Sequence, residues 1–91
     1  MEKRFKESLN TAVLTTKYIL ENQSPILFVF HYIEDGMWQF SGSENIITDS
    51  DFRIVSLEEI ITIDDSVLEL INLPLGKEAY RLDRHSPWVI K

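Results

Sequence analysis

The chain has no cysteine. That excludes a disulfide scaffold, a thiolate zinc site and a cysteine nucleophile. It also fits a reducing cytoplasm, the compartment expected for this protein. Glycine is scarce: Gly36, Gly42 and Gly76 are too scattered for a dinucleotide loop, and Gly76-Lys77 lacks the upstream glycine of a P-loop. Long apolar runs are missing too. The longest, 26–30, is far below the roughly 20 residues that span a bilayer, so no membrane association is expected. The basic start Met1-Glu2-Lys3-Arg4-Phe5-Lys6 is followed by no apolar stretch and does not read as a signal peptide. Positive charge is in deficit. A net charge of −6 disfavours nucleic acid, which requires a basic footprint.

What is present is ordinary for a globular domain: 44% hydrophobic, 26% charged and 11% aromatic residues. The apolar content suffices to offset the entropy of ordering. Ninety-one residues predict a single domain over 1–91, with 1–8 as a frayed tail. The acid is unevenly spread. Between Glu34 and Glu69 ten acids face one base, Arg53, so this segment carries −9 and the flanks together +3. Such a segment either keeps the surface solvated or steers a basic partner.

The pattern predicts an α+β fold, an antiparallel sheet built around a central hairpin. Leu9, Ala12, Val13, Thr16, Ile19 and Leu20 recur at helical spacing, predicting an N-terminal helix over 10–21 that stops before Pro25. The β-rich run 26–33 is apolar on both parities, as for a strand with both faces covered. Asp35-Gly36 signals a two-residue type I′ turn into a returning strand over 37–42. That turn would set Ile33 opposite Trp38 and His31 opposite Phe40. Residues 43–51 read as an acidic loop anchored by Ile46 and Ile47, followed by a strand at 52–55. Ser56-Leu57-Glu58-Glu59 and Ser66-Val67-Leu68-Glu69 match the capping box and predict short helices over 57–62 and 67–72. Strands are expected at 79–83 and 88–90.

Chemistry finds little purchase. Asp49-Ser50-Asp51-Phe52-Arg53 opens like a calcium loop but lacks the turn glycine and puts arginine at a ligand position. His31 and His85 have no metal-site spacing, so no metal or other cofactor is expected. There is no GxSxG motif. His31 reads as a strand histidine stacked on an aromatic ring, and His85 as a loop residue. Glu58, Glu59, Asp64 and Asp65 are explained by helix starts, where negative charge complements the macrodipole. That leaves Glu34, Asp35, Glu44, Asp49 and Asp51, around the turn and the following loop, as candidate partner contacts. Trp38 reads as core. Trp88, after a proline, either caps the sheet or stands exposed as an interface anchor.

The run Asp35-Gly36-Met37-Trp38-Gln39-Phe40-Ser41-Gly42-Ser43-Glu44 forms D-G-x-W-x-F-x-G-x-E. With Ile61-Thr62-Ile63-Asp64-Asp65-Ser66-Val67 and Leu73-Pro74-Leu75-Gly76 it resembles a small bacterial domain-of-unknown-function family grouped with the immunity proteins of polymorphic toxin systems. Asp65-Ser66 stands where that family usually has aspartate-proline. The resemblance implies a non-catalytic protein that binds and neutralises a co-encoded toxin. Toxins that attack nucleic acids carry basic active sites, which an acidic surface can cover. The partner contacts would be Glu34, Asp35, Glu44, Asp49, Asp51 and Trp88. The competing reading is a regulatory or scaffold domain acting through a homodimer or through peptide binding at a sheet edge. A third is a small hydrolase using His31 or His85.

Overall fold

The computed structural model describes residues 4–44 and 48–91. The fold is α+β, as the pattern predicts. Six strands form one sheet: β1 (Ala12–Thr16), β2 (Phe28–His31), β3 (Trp38–Ser41), β4 (Phe52–Ser56), β5 (Glu78–Tyr80) and β6 (Val89–Ile90). Their order is β4-β1-β3-β2-β5-β6. Helix α1 (Lys17–Asn22) follows β1, and α2 (Leu57–Ile63) leads into a 3-10 helix over Asp65–Leu70.

The largest correction is at the N-terminal end. The helix expected over 10–21 is a strand and a short helix joined at Thr16. Val13 and Thr15 are both completely buried, which is strand alternation. The β-branched run Val13, Thr15, Thr16 favours the extended backbone because each side chain is stiff about χ1. The Thr16 hydroxyl then accepts from Ile19 N–H at 3.4 Å and starts α1. Gln23 ends it in the left-handed region, φ 59°, with its N–H on Tyr18 O.

This change alters the sheet. It is mixed, not purely antiparallel: β1 runs parallel to β3, with Leu14 beside Gln39, and antiparallel to β4. The hairpin is real, but its register differs from expectation by two residues. Val29 pairs with Phe40 and His31 with Trp38. A type I′ turn needs positive φ at both central residues, whereas here only Gly36 has it, φ 74°. The chain instead takes a four-residue turn, closed by Tyr32 N–H on Met37 O at 2.9 Å and Gly36 N–H on Tyr32 O at 2.9 Å. Ile33 consequently sits in the turn, 66% exposed, rather than opposite Trp38. A shift of two preserves which face each strand side chain takes.

One face of the sheet carries Val13, Val29, Trp38, Phe40 and Ala79, all buried against Ile19, Leu57, Ile60, Val67 and Leu70 from the helical layer. Phe5 belongs to the same core. Its ring meets Trp38 edge-on at 5.1 Å, and Glu7 Oε2 accepts from Trp38 Nε1–H at 2.9 Å. Residues 4–8 are therefore anchored, not the frayed tail expected for 1–8; residues 1–3 lie outside the described residues. The Ser56 cap is as read, accepting from Glu59 N–H at 3.2 Å. The helix expected over 67–72 is the 3-10 segment, and its cap is Asp64, which accepts from Ser66 N–H at 3.0 Å. The strands expected at 79–83 and 88–90 are shorter, Glu78–Tyr80 and Val89–Ile90. The anchors Ile46 and Ile47 lie outside the described residues.

Candidate functional site

The acids singled out by the sequence do not form one cluster. Glu34 and Asp35 are exposed in the turn entering β3, while Glu44 and Asp49 follow the other end of that strand. Four residues of strand and its flanks separate the groups by roughly 15 Å at 3.3 Å per residue. Asp51 leaves the candidate set altogether. It is buried, and its carboxylate accepts from Thr48 N–H at 3.0 Å and Tyr18 O–H at 3.2 Å, with Lys17 Nζ at 3.3 Å. The Thr48 N–H holds its carboxyl below the ordinary value, and Lys17 and Tyr18 add to this against the opposing effect of burial. Asp51 ties β4 to α1.

Trp88 is likewise occupied, and caps the sheet rather than standing free. Its ring stacks on the Arg81 guanidinium at 4.1 Å, and Nε1–H donates to Ser66 O at 3.2 Å. Beneath it Arg81, only 4% exposed, donates to Ile26 O at 3.0 Å, Ser66 Oγ at 2.8 Å and Asp64 Oδ2 at 2.8 Å. Burial pushes the Asp64 carboxyl up, but hydrogen bonds from Ser66 and Arg81 outweigh it and the pKa falls below the ordinary value. Each of the three Arg81 nitrogens has an acceptor, so the group is a structural knot joining the segments flanking β2 and β5 to the 3-10 helix.

His31 is stacked, but on Trp38 rather than against Phe40: the ring centroids are 3.9 Å apart and 13° from parallel. Its Nδ1–H donates to Leu73 O at 2.8 Å. The stacking and the hydrogen bond together fix this half-buried ring. His85 is an exposed turn residue. Among the described residues no three His, Asp or Glu side chains converge as a metal site, and no helix is long and apolar enough to cross a membrane. A cavity of about 620 Å³ lies between the N-terminal segment and α2, lined by Arg4, Phe5, Glu7, Ser8, Leu9, Ile61 and Leu68.

The feature that sequence reasoning missed is the second face of the sheet. The apolar parity of β2 predicted cover on both sides. The helical layer packs on one side; on the other, Gln39 and Ser41 are buried while the residues around them are half-buried or exposed. Register lines up Ile54, Leu14, Gln39, Phe30 and Glu78 in one row across five strands. Phe28, Tyr80 and Val89 fall in the next row. Ile54 is 69% exposed, and Phe28, Phe30, Tyr32 and Tyr80 are half-buried. Phe30 and Tyr32 stack at 6.1 Å, and Tyr32 O–H donates to Gln39 Oε1 at 2.6 Å, fixing the centre of the face. The signal was available in Phe28, Phe30 and Tyr32, which share a parity. What the sequence did not show is that part of the expected N-terminal helix is itself a strand of the sheet.

The acids bracket this face. Burial and the charges of Glu34, Asp35 and Glu78 push the Tyr32 hydroxyl above its ordinary pKa, which marks the negative potential at that end. The edges are less inviting. β6 is two residues long, and at β4 the Arg53 guanidinium donates to Phe52 O at 2.9 Å, covering a carbonyl of the edge strand. No family model, no curated protein and no solved structure matches the chain.

Proposed function

We propose that the chain is a non-catalytic protein-binding module that neutralises a co-encoded toxin by covering a basic surface of it. One observation carries the reading. The acids Glu34, Asp35, Glu44 and Asp49 lie at both ends of β3 and bracket the second face of the sheet. Negative potential so placed speeds encounter with a basic partner and disfavours acidic ones. The side chains with most chemical potential serve packing instead: His31 is held by Leu73 and Trp38, and Asp51 by Lys17, Tyr18 and Thr48. The resemblance to immunity proteins supplies the toxin.

The test is association with the purified product of the adjacent reading frame, followed by stopped flow. Reversing Glu34, Asp35, Glu44 and Asp49 to lysine slows association at least tenfold, and added salt slows the wild-type chain. A rate indifferent to both salt and reversal sinks the electrostatic mechanism. A product that does not bind at all sinks the immunity reading.

A further inference from the structure

We infer that the second face of the sheet is the docking surface, and that its occupant is a protein presenting apolar side chains ringed by lysine and arginine. The inference rests on the binding reading above and adds to it where the contact is made. Three arguments lead to this occupant.

The first is composition. The row Ile54, Leu14, Gln39 and Phe30, with Phe28 and Tyr80 beside it, is an apolar centre with a single amide fixed in place by Tyr32. Aromatic centres with polar surrounds are the usual anatomy of a protein interface.

The second is charge. Glu78 lies in the row itself, Glu34 and Asp35 stand at one end, and Glu44 and Asp49 at the other. Lys91 is drawn over the Tyr80 ring at 5.1 Å at one edge. A second copy of a chain with net charge −6 would bring acidic rims together, whereas a basic partner pairs with them.

The third is size. Five strands about 4.8 Å wide and two rows of side chains about 6.6 Å wide make a patch of roughly 24 by 13 Å, about 300 Å² in plan. That matches the largest apolar patch of an ordinary monomer, yet it falls short of the roughly 800 Å² each partner buries in a stable complex. The contact must therefore extend onto the acidic ends, which binds the apolar and the charged features into one surface.

The test places a benzophenone side chain at position 54, or at position 69 on the helical side, in the full-length chain in its native cells. Ile54 is mostly exposed, so its replacement leaves the core intact. The expected result is a photo-adduct from position 54, and not from 69, with a protein of basic isoelectric point. With that protein purified, Ile54→Glu and Ile54→Arg each weaken binding at least tenfold, while Glu69→Lys changes it less than twofold. Adducts from position 69 alone overturn the face and leave the binding module standing. Adducts with a second copy overturn the basic partner in favour of a homodimer. Adducts from neither position overturn the binding reading itself.

Discussion

Replacing Asp64 with alanine strips Arg81 of its carboxylate partner, the only one among the described residues. Arg81 then keeps Ile26 O and Ser66 Oγ as acceptors, but its charge stays buried beneath Trp88 at 4% exposure. Breaking a buried pair from one side costs about 3–5 kcal/mol. The same carboxylate caps the 3-10 helix through Ser66 N–H, an interaction worth about 1 kcal/mol. These overlap, and about 4 kcal/mol is expected for Asp64→Ala. A domain of this length has about 5–14 kcal/mol in all, so the variant sits near the edge of folding. Urea titration followed by tryptophan fluorescence measures the loss. The double variant Asp64→Ala, Arg81→Met recovers at least half of it, since no unpaired charge remains buried. The pH dependence has a definite sign. The Asp64 pKa is lower in the folded state, so its contribution is complete above the unfolded value near 3.9 and disappears as pH falls through the folded value. The gap between wild type and Asp64→Ala is therefore constant from about pH 7 to 5 and narrows below about pH 4. An Asp64→Ala cost under about 1 kcal/mol, or a gap unchanged at low pH, refutes the role given to this pair.

Two further substitutions probe other parts of the fold. Gln23 occupies the left-handed region, φ 59°, at a cost of about 1 kcal/mol that glycine does not incur. Allowing for the freer unfolded chain, Gln23→Gly stabilises by roughly 0.5 kcal/mol and raises Tm by a few degrees in a thermal melt. Gln23→Ala gives no such gain. Phe5→Ala opens a space beside Trp38 and costs about 3 kcal/mol in the same urea assay; an unchanged midpoint would mean that the N-terminal segment does not pack.

Much of the fold was legible because local chemistry and global packing agree there. Ser56 and Glu59 state a helix start, and Gly36 states a reversal. The parity of Val29, Trp38 and Phe40 states a buried face whatever the register. Reading failed where two periods fit the same residues. Val13 and Thr16 are three apart, a helical spacing, while Val13 and Thr15 are two apart, a strand spacing; only the pairing with β4 decides. That single ambiguity removed a strand from the sheet. Of the candidate site, Glu34, Asp35 and Asp49 are exposed, while Glu44 is half-buried with its Oε1 turned in over Gly42 and without a hydrogen-bond partner. The internal contacts of Asp51 and Trp88 were not legible because their partners, Lys17, Tyr18, Arg81 and Ser66, are brought to them by folding.

The parallel placement of β1 governs the order in which the chain folds. Leu14 is made early, yet it pairs with Gln39 on one side and Ile54 on the other. The β2–β3 hairpin closes on its own within microseconds. β1 must wait for β4 to leave the ribosome before both its edges are satisfied. Until then the extended, β-branched segment 12–16 is exposed to other nascent chains. Completion depends on long-range pairing, which slows folding towards the millisecond-to-second range. Substitutions in β4 therefore act on folding yield in the cell as well as on the stability of the finished domain.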